Sequence, residues 1–196
     1  MREPPPLNFC QWQNPAELYS QVEVARCSLG DDQFCNANAA KYLREAWVIS
    51  RVGVLLGARG ARLSEADPPD GYLDTDDIGI TPVEVTERLQ EGRRRGNEEP
   101  LAIHHQSDEE LSAAIERNRD WLEALILRKL RGAERCPPNT VLLVYLNTSL
   151  YNFDPERTRA ELEAAAKLRD KNIVGSLILY EGEVYGQSAL ASRRAT

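Results

Sequence analysis

DPPDGYLDTDDIGITPVEVTERL, residues 67–89, is the stretch that decides the fold. Pro68 and Pro69 forbid a regular ladder before Asp70. GYLDT then favours a strand, Asp76-Asp77 a tight turn, and GITPVEVTERL a second strand, so the reading is a β-hairpin in which Pro82 limits pairing. Successive strand side chains point to opposite faces. Val83 and Val85 therefore share one side of the sheet and Glu84 and Thr86 the other, so burial of the valines does not by itself bury Glu84. The carboxylate then meets either solvent or something positive: a cation, a metal or a substrate.

Upstream of the hairpin, ARLS at 61–64 reads as a short first strand, ended by the turn EADPPD. Before it, residues 36–57 are rich in helix formers and end in Gly57. Ala39, Leu43, Ala46, Trp47, Ser50 and Val54 recur there at three- and four-residue steps, which predicts a major helix. Asn14-Pro15 has the form of a helix start, a cap followed by proline in the first turn, and that helix runs to Gly30. The first 13 residues, rich in proline and without period, read as an arm.

Downstream, residues 91–106 form a long loop. Ser107 and Glu110 make a capping box opening a helix to Gly132, striped by Leu111, Ala114, Ile115, Leu122, Leu125 and Ile126. VLLVYLN at 141–147 lacks alternation, the mark of a strand covered on both faces. Asp154-Pro155 starts another helix, NIVGSLILY is a second buried strand, and EGEVYG closes a last hairpin. The order is helix, three strands, helix, strand, helix, strand. This predicts the α/β class, a central mixed sheet flanked by helices. Residues 1–35 are read as an N-terminal arm and helix, and 36–196 as a single α/β domain.

The chain has 196 residues, enough to bury a continuous core, with 42% hydrophobic and 28% charged side chains. No apolar run approaches the roughly 18 residues of a membrane span. The opening MREPPPLNFCQWQNP has no apolar core after Arg2 and reads as neither signal peptide nor presequence, so a cytoplasmic protein is expected. Cys10, Cys27, Cys35 and Cys136 form no C-x-x-C pair, and the two histidines are the adjacent His104 and His105. Zinc is disfavoured and free thiols are expected. The net charge of -7, from 24 Lys and Arg against 31 Asp and Glu, argues against coating nucleic acid by bulk electrostatics but leaves room for a local basic cleft. EGRRRGNEEP at 91–100 concentrates Arg93, Arg94 and Arg95, either as a solvated loop or as a phosphate contact.

PPD at 68–70, EVT at 84–86, a preceding helix with Glu45 and a following helix and strand together resemble the PD-(D/E)XK nuclease superfamily. The resemblance spans about residues 36–147 and implies the restriction-endonuclease-like αβββαβ core. It further implies that Asp70 and Glu84 hold Mg²⁺ and that Glu45 is the acid of the first core helix. Glu45, Asp70, Glu84 and Thr86 then form the catalytic set. The implied function is that of a nuclease-like hydrolase of DNA or RNA phosphodiesters. The chain departs from the pattern at Thr86, where the family has lysine, and a hydroxyl cannot offer a fixed charge to a phosphate. Arg88, Arg93, Arg94 and Arg95 are candidates to bind substrate and replace that charge, and Lys129 is another source of it.

Each of these residues also has a plainer role. Asp70 can cap its own turn, Glu84 can pair across the strands with Arg62, and Glu45 can pair with Lys41 one helical turn earlier. The alternative function is a catalytically inactive member of the same fold that binds protein or nucleic acid. A homodimer or a protein partner is compatible with either reading.

Overall fold

The computed structural model describes residues 7–30, 33–34, 37, 40–77, 79–89, 122–147 and 155–186. They form one open six-stranded sheet in the order β1-β2-β3-β4-β5-β6, with helices on both faces. The strands are β1 (Gly60–Leu63), β2 (Gly71–Thr75), β3 (Gly79–Leu89), β4 (Thr140–Asn147), β5 (Ile173–Tyr180) and β6 (Glu183–Tyr185). β1, β2 and β3 are an antiparallel meander, β3, β4 and β5 run parallel, and β6 folds back antiparallel on β5. The helices are α1 (Pro15–Leu29), α2 (Lys41–Leu55), α3 (122–130) and α4 (Pro155–Ala166). The expected α/β class and mixed sheet are both present.

Local chemistry explains the boundaries. Asn14 caps α1 by accepting the Ala16 N–H at 2.9 Å, Pro15 occupies the first turn, and Gly30 ends the helix at φ 78°. Residues 9–13 are drawn into the fold: Phe9 and Cys10 join the core, and Gln13 bridges Ala61 on the outer edge of β1. β3 pairs with β4 only from Val83 onward, so Pro82 lies outside that ladder and is tolerated opposite Tyr72 of β2. The first part of the helix expected from Ser107, like Trp121, His104 and His105, lies outside the described residues.

Two cores sandwich the sheet. On one side α1 and α2 pack through Leu18, Val22, Ile49 and Val52 onto Leu63, Leu73, Val83, Val141 and Leu143. On the other α3 and α4 pack through Leu122, Ile126, Leu162 and Ala166 onto Leu142, Val144, Ile178 and Tyr180. Adjacent residues of β4 thus serve opposite cores, which is why its sequence lacks alternation. The stripe expected on α2 differs at one end: Val52 is fully buried and Val54 is 40% exposed. The expected Trp47 is half-buried, its ring 5.1 Å from that of Tyr145 and its Nε1–H donating to Glu23 Oε1 at 2.8 Å.

Gly71 is where β2 can approach β1. A Cβ there would sit 2.5 Å from the Arg62 carbonyl oxygen and 2.6 Å from Ile49 Cδ1. Gly71→Ala is expected to destabilise the domain by about 1–3 kcal/mol, the usual cost of overpacking. Urea unfolding measures it, and because Gly71 follows Asp70 directly the variant should also lose whatever Asp70 binds.

Candidate functional site

The site is built where β2 stops and β3 continues. The Asp70 N–H donates to the Val83 carbonyl at 3.0 Å, and the Ser64 N–H donates to the Asp70 carbonyl at 3.0 Å, so both main-chain groups of Asp70 are tied into the meander. Beyond this point β3 has no β2 residue to pair with. The Val85 N–H donates instead to Asp70 Oδ2 at 2.8 Å. The Asp70 side chain therefore completes the ladder at a strand end, and the residue is only 2% exposed. It does more than cap its own turn: it is fixed against β3, one residue from Glu84.

Glu84 lies across the sheet from the Val83 core, as strand alternation requires. That second face is roofed by α3, so solvent does not reach it freely: the Glu84 side chain is 16% exposed. Its cation is Lys129, from α3, whose Nζ lies 3.4 Å from Glu84 Oε1. Glu84 Oε2 is buried and has no hydrogen-bond partner among the described residues. Burial first, and the Asp70 charge second, push the Glu84 carboxyl above the usual carboxylate range; Lys129 pulls it down and Asp67 adds a smaller upward push. Thr86, two residues on, is buried on the same face as Glu84.

Cys136 follows the short 3₁₀ turn Ala133–Arg135 after α3. Burial, then the charge of Glu84, raise its thiol above the usual value, while Lys129 lowers it and Asp70 adds a further upward push. The turn after α3 is therefore beside the two acids.

Arg62 is not the partner of Glu84. Its guanidinium lies over the Tyr72 ring at 4.3 Å and near the Trp12 ring at 5.2 Å. Glu45 is 4% exposed on α2, and Lys41 Nζ stands 3.0 Å from its Oε1, an ion contact without hydrogen-bond alignment. The i,i+4 pair with Lys41 thus exists, with its carboxylate buried rather than on the surface. Arg88 is in β3, in register with Leu146 of β4. Arg93, Arg94 and Arg95 lie outside the described residues.

Among the described residues no group of three or more His, Cys, Asp or Glu side chains is placed to hold a metal. Asp70 is near enough for its charge to raise the Glu84 carboxyl, and Glu84 Oε2 is buried with no hydrogen-bond partner among the described residues. Such a pair suits a hard cation that keeps several waters, Mg²⁺ above all. No family model, no curated protein and no solved structure matches this chain. No described helix is long and apolar enough to cross a membrane.

Proposed function

We propose that the protein is a Mg²⁺-dependent nuclease of the PD-(D/E)XK type, hydrolysing phosphodiesters of DNA or RNA, in which Lys129 replaces the lysine that Thr86 displaces. The observation that carries this reading is the Lys129 ammonium, 3.4 Å from Glu84 Oε1 and on the Thr86 face of β3. A fixed positive charge is needed beside a phosphate under attack, and it need not come from the same strand as the acids. The order of elements supports the same reading, with β1, β2 and β3 as a meander after α2 and β4 parallel to β3.

Asp70 and Glu84 would hold the ion. Bound there, Mg²⁺ supplies an activated water and neutralises charge on the phosphate. The chain's own groups do the rest. Asp70 is kept in one orientation by the Val85 N–H, Lys129 balances Glu84 before substrate arrives and offers its remaining donors to a phosphate oxygen, and α3 limits water on this face. Thr86 contributes a hydroxyl on the same face.

The test is cleavage of plasmid, single-stranded DNA and RNA by purified protein with Mg²⁺ and with EDTA. Asp70→Ala combined with Glu84→Ala is expected to abolish both EDTA-sensitive cleavage and the binding of Mg²⁺ seen by calorimetry. If wild type and the double variant bind Mg²⁺ alike and cut alike, the proposal fails. A second reading, an inactive binding module, is favoured by Thr86 itself and by the way Lys129 already neutralises Glu84. It predicts no metal-dependent cleavage of any of the three substrates.

A further inference from the structure

Most described arginines have their charge engaged. Arg59 pairs with Asp74 and Asp76, Arg159 with Glu183, and Arg26 with Glu23. Arg44 donates to the carbonyls of Phe34 and Ala37, and Arg51 lies over Tyr19. Arg128, Arg131 and Arg135 are different: all three are exposed, and none has an ion-pair partner among the described residues. They recur at three- and four-residue steps through the end of α3 and the 3₁₀ turn that follows. Arg128 lies in the last turn of α3, Arg131 in the turn that follows it and Arg135 at the end of the 3₁₀ segment, so the three are exposed along one short stretch of chain.

A second set lies alongside. Lys167, Arg169 and Lys171 are exposed in the connection from α4 to β5, again without an ion-pair partner among the described residues. The two segments are joined: Asn172 Nδ2–H donates to the Ala133 carbonyl at 3.0 Å, and the Thr140 N–H donates to the Asn172 carbonyl at 2.9 Å. Both sit at the end of the sheet where β4 and β5 begin. The Asp70 and Glu84 carboxylates are at the same end, since Glu84 is in register with Leu142 near the start of β4. Lys129 lies within the first segment, and Cys136, the residue after Arg135, feels the charges of both acids.

We infer that these two segments form one cationic band that holds the sugar-phosphate backbone of a nucleic acid beside the Asp70–Glu84–Lys129 site. The band resolves a difficulty posed by the composition. A chain of net charge -7 repels a polyanion as a whole, so binding must be local, and the six exposed cations here are interspersed with only two acids, Glu134 and Asp170, in the stretches 128–135 and 167–171. Three of the cations are contiguous with the element that carries Lys129, so a backbone held on them runs toward the acids. The inference deepens the nuclease proposal and rests on it for the choice of nucleic acid as occupant.

Binding is measured by fluorescence anisotropy in EDTA, with a labelled duplex of about 30 base pairs and its single strand, over a salt series. The Gln triple at Arg128, Arg131 and Arg135 and the Gln triple at Lys167, Arg169 and Lys171 change only exposed side chains. Each is expected to weaken binding about tenfold at 0.1 M salt and to lower the slope of log K against log salt by roughly 2–3, since each phosphate contact contributes close to one unit. The band is overturned if wild type binds neither oligonucleotide at low salt, or if both triples keep the wild-type affinity and slope. Because EDTA removes any cleavage, binding that depends on the band in a protein that never cuts would sink the nuclease reading and leave the band standing. Cleavage with both triples unimpaired would do the reverse.

Discussion

Lys129→Met is expected to reduce Mg²⁺-dependent cleavage by about 10²–10³-fold, the loss that follows removal of one preorganised group stabilising transition-state charge. Methionine keeps most of the length and the apolar stem, so packing of α3 on β4 is retained and the charge is what goes. Lys129→Arg should recover part of the activity, since a guanidinium keeps the charge but not the compact ammonium geometry. The readout is single-turnover cleavage at saturating Mg²⁺, which separates chemistry from ion binding. Removing the ammonium also leaves Glu84 beside Asp70 without its compensating charge, so the Glu84 carboxyl should titrate still higher than in wild type. The activity that remains should shift to higher pH. Unchanged cleavage in Lys129→Met would show that the missing motif lysine is supplied from elsewhere or not at all.

The hairpin and its two acids are legible in the sequence because they depend on short-range rules. Prolines end a ladder, Asp-Asp makes a turn, and alternation sends Glu84 away from Val83 whatever the rest of the chain does. The partner of Glu84 is not legible by the same means. Lys129 is 45 residues away, and only the packing of α3 over β3 and β4 brings the two together. One signal pointed to it. Leu122, Leu125, Ile126 and Leu130 form the buried stripe of α3, and position 129 falls on that stripe, so a lysine there puts charge toward the sheet. Arg62 is equally suited to pair with Glu84 on strand parity, but parity ignores competitors, and the Tyr72 ring directly opposite Arg62 takes its guanidinium. Glu45 shows the same limit: the spacing to Lys41 is readable, while its burial depends on how α2 lies on the sheet. Nor does spacing reveal that the turn after α3 and the connection after α4 meet, because a side chain to main chain contact, Asn172 to Ala133, joins them.

Glu84→Gln is expected to make the metal-free protein more stable while abolishing Mg²⁺ binding and cleavage. Glu84 carries a folded-state carboxyl raised above its ordinary value of 4.5, by burial first and by Asp70 second, and the attraction of Lys129 does not cancel both. The folded protein therefore binds this proton more readily than the unfolded chain does, and the ionised carboxylate is a cost to folding. The cost is fully present above the folded-state value, shrinks as pH falls through it, and is gone below about 4.5, where both states hold the proton. Glutamine removes the charge at every pH and keeps a carbonyl oxygen for the Lys129 N–H. Thermal unfolding in EDTA should thus show the variant ahead of wild type at neutral pH, by about 2–4 °C for each kcal/mol relieved in a domain of this size, and level with it in acid. Addition of Mg²⁺ should reverse the order, because the ion stabilises only the protein that binds it, by an amount that grows with its concentration over Kd. If the variant is instead less stable in EDTA, Glu84 holds the fold together through Lys129 and is a structural ion pair rather than a carboxylate kept strained for a cation.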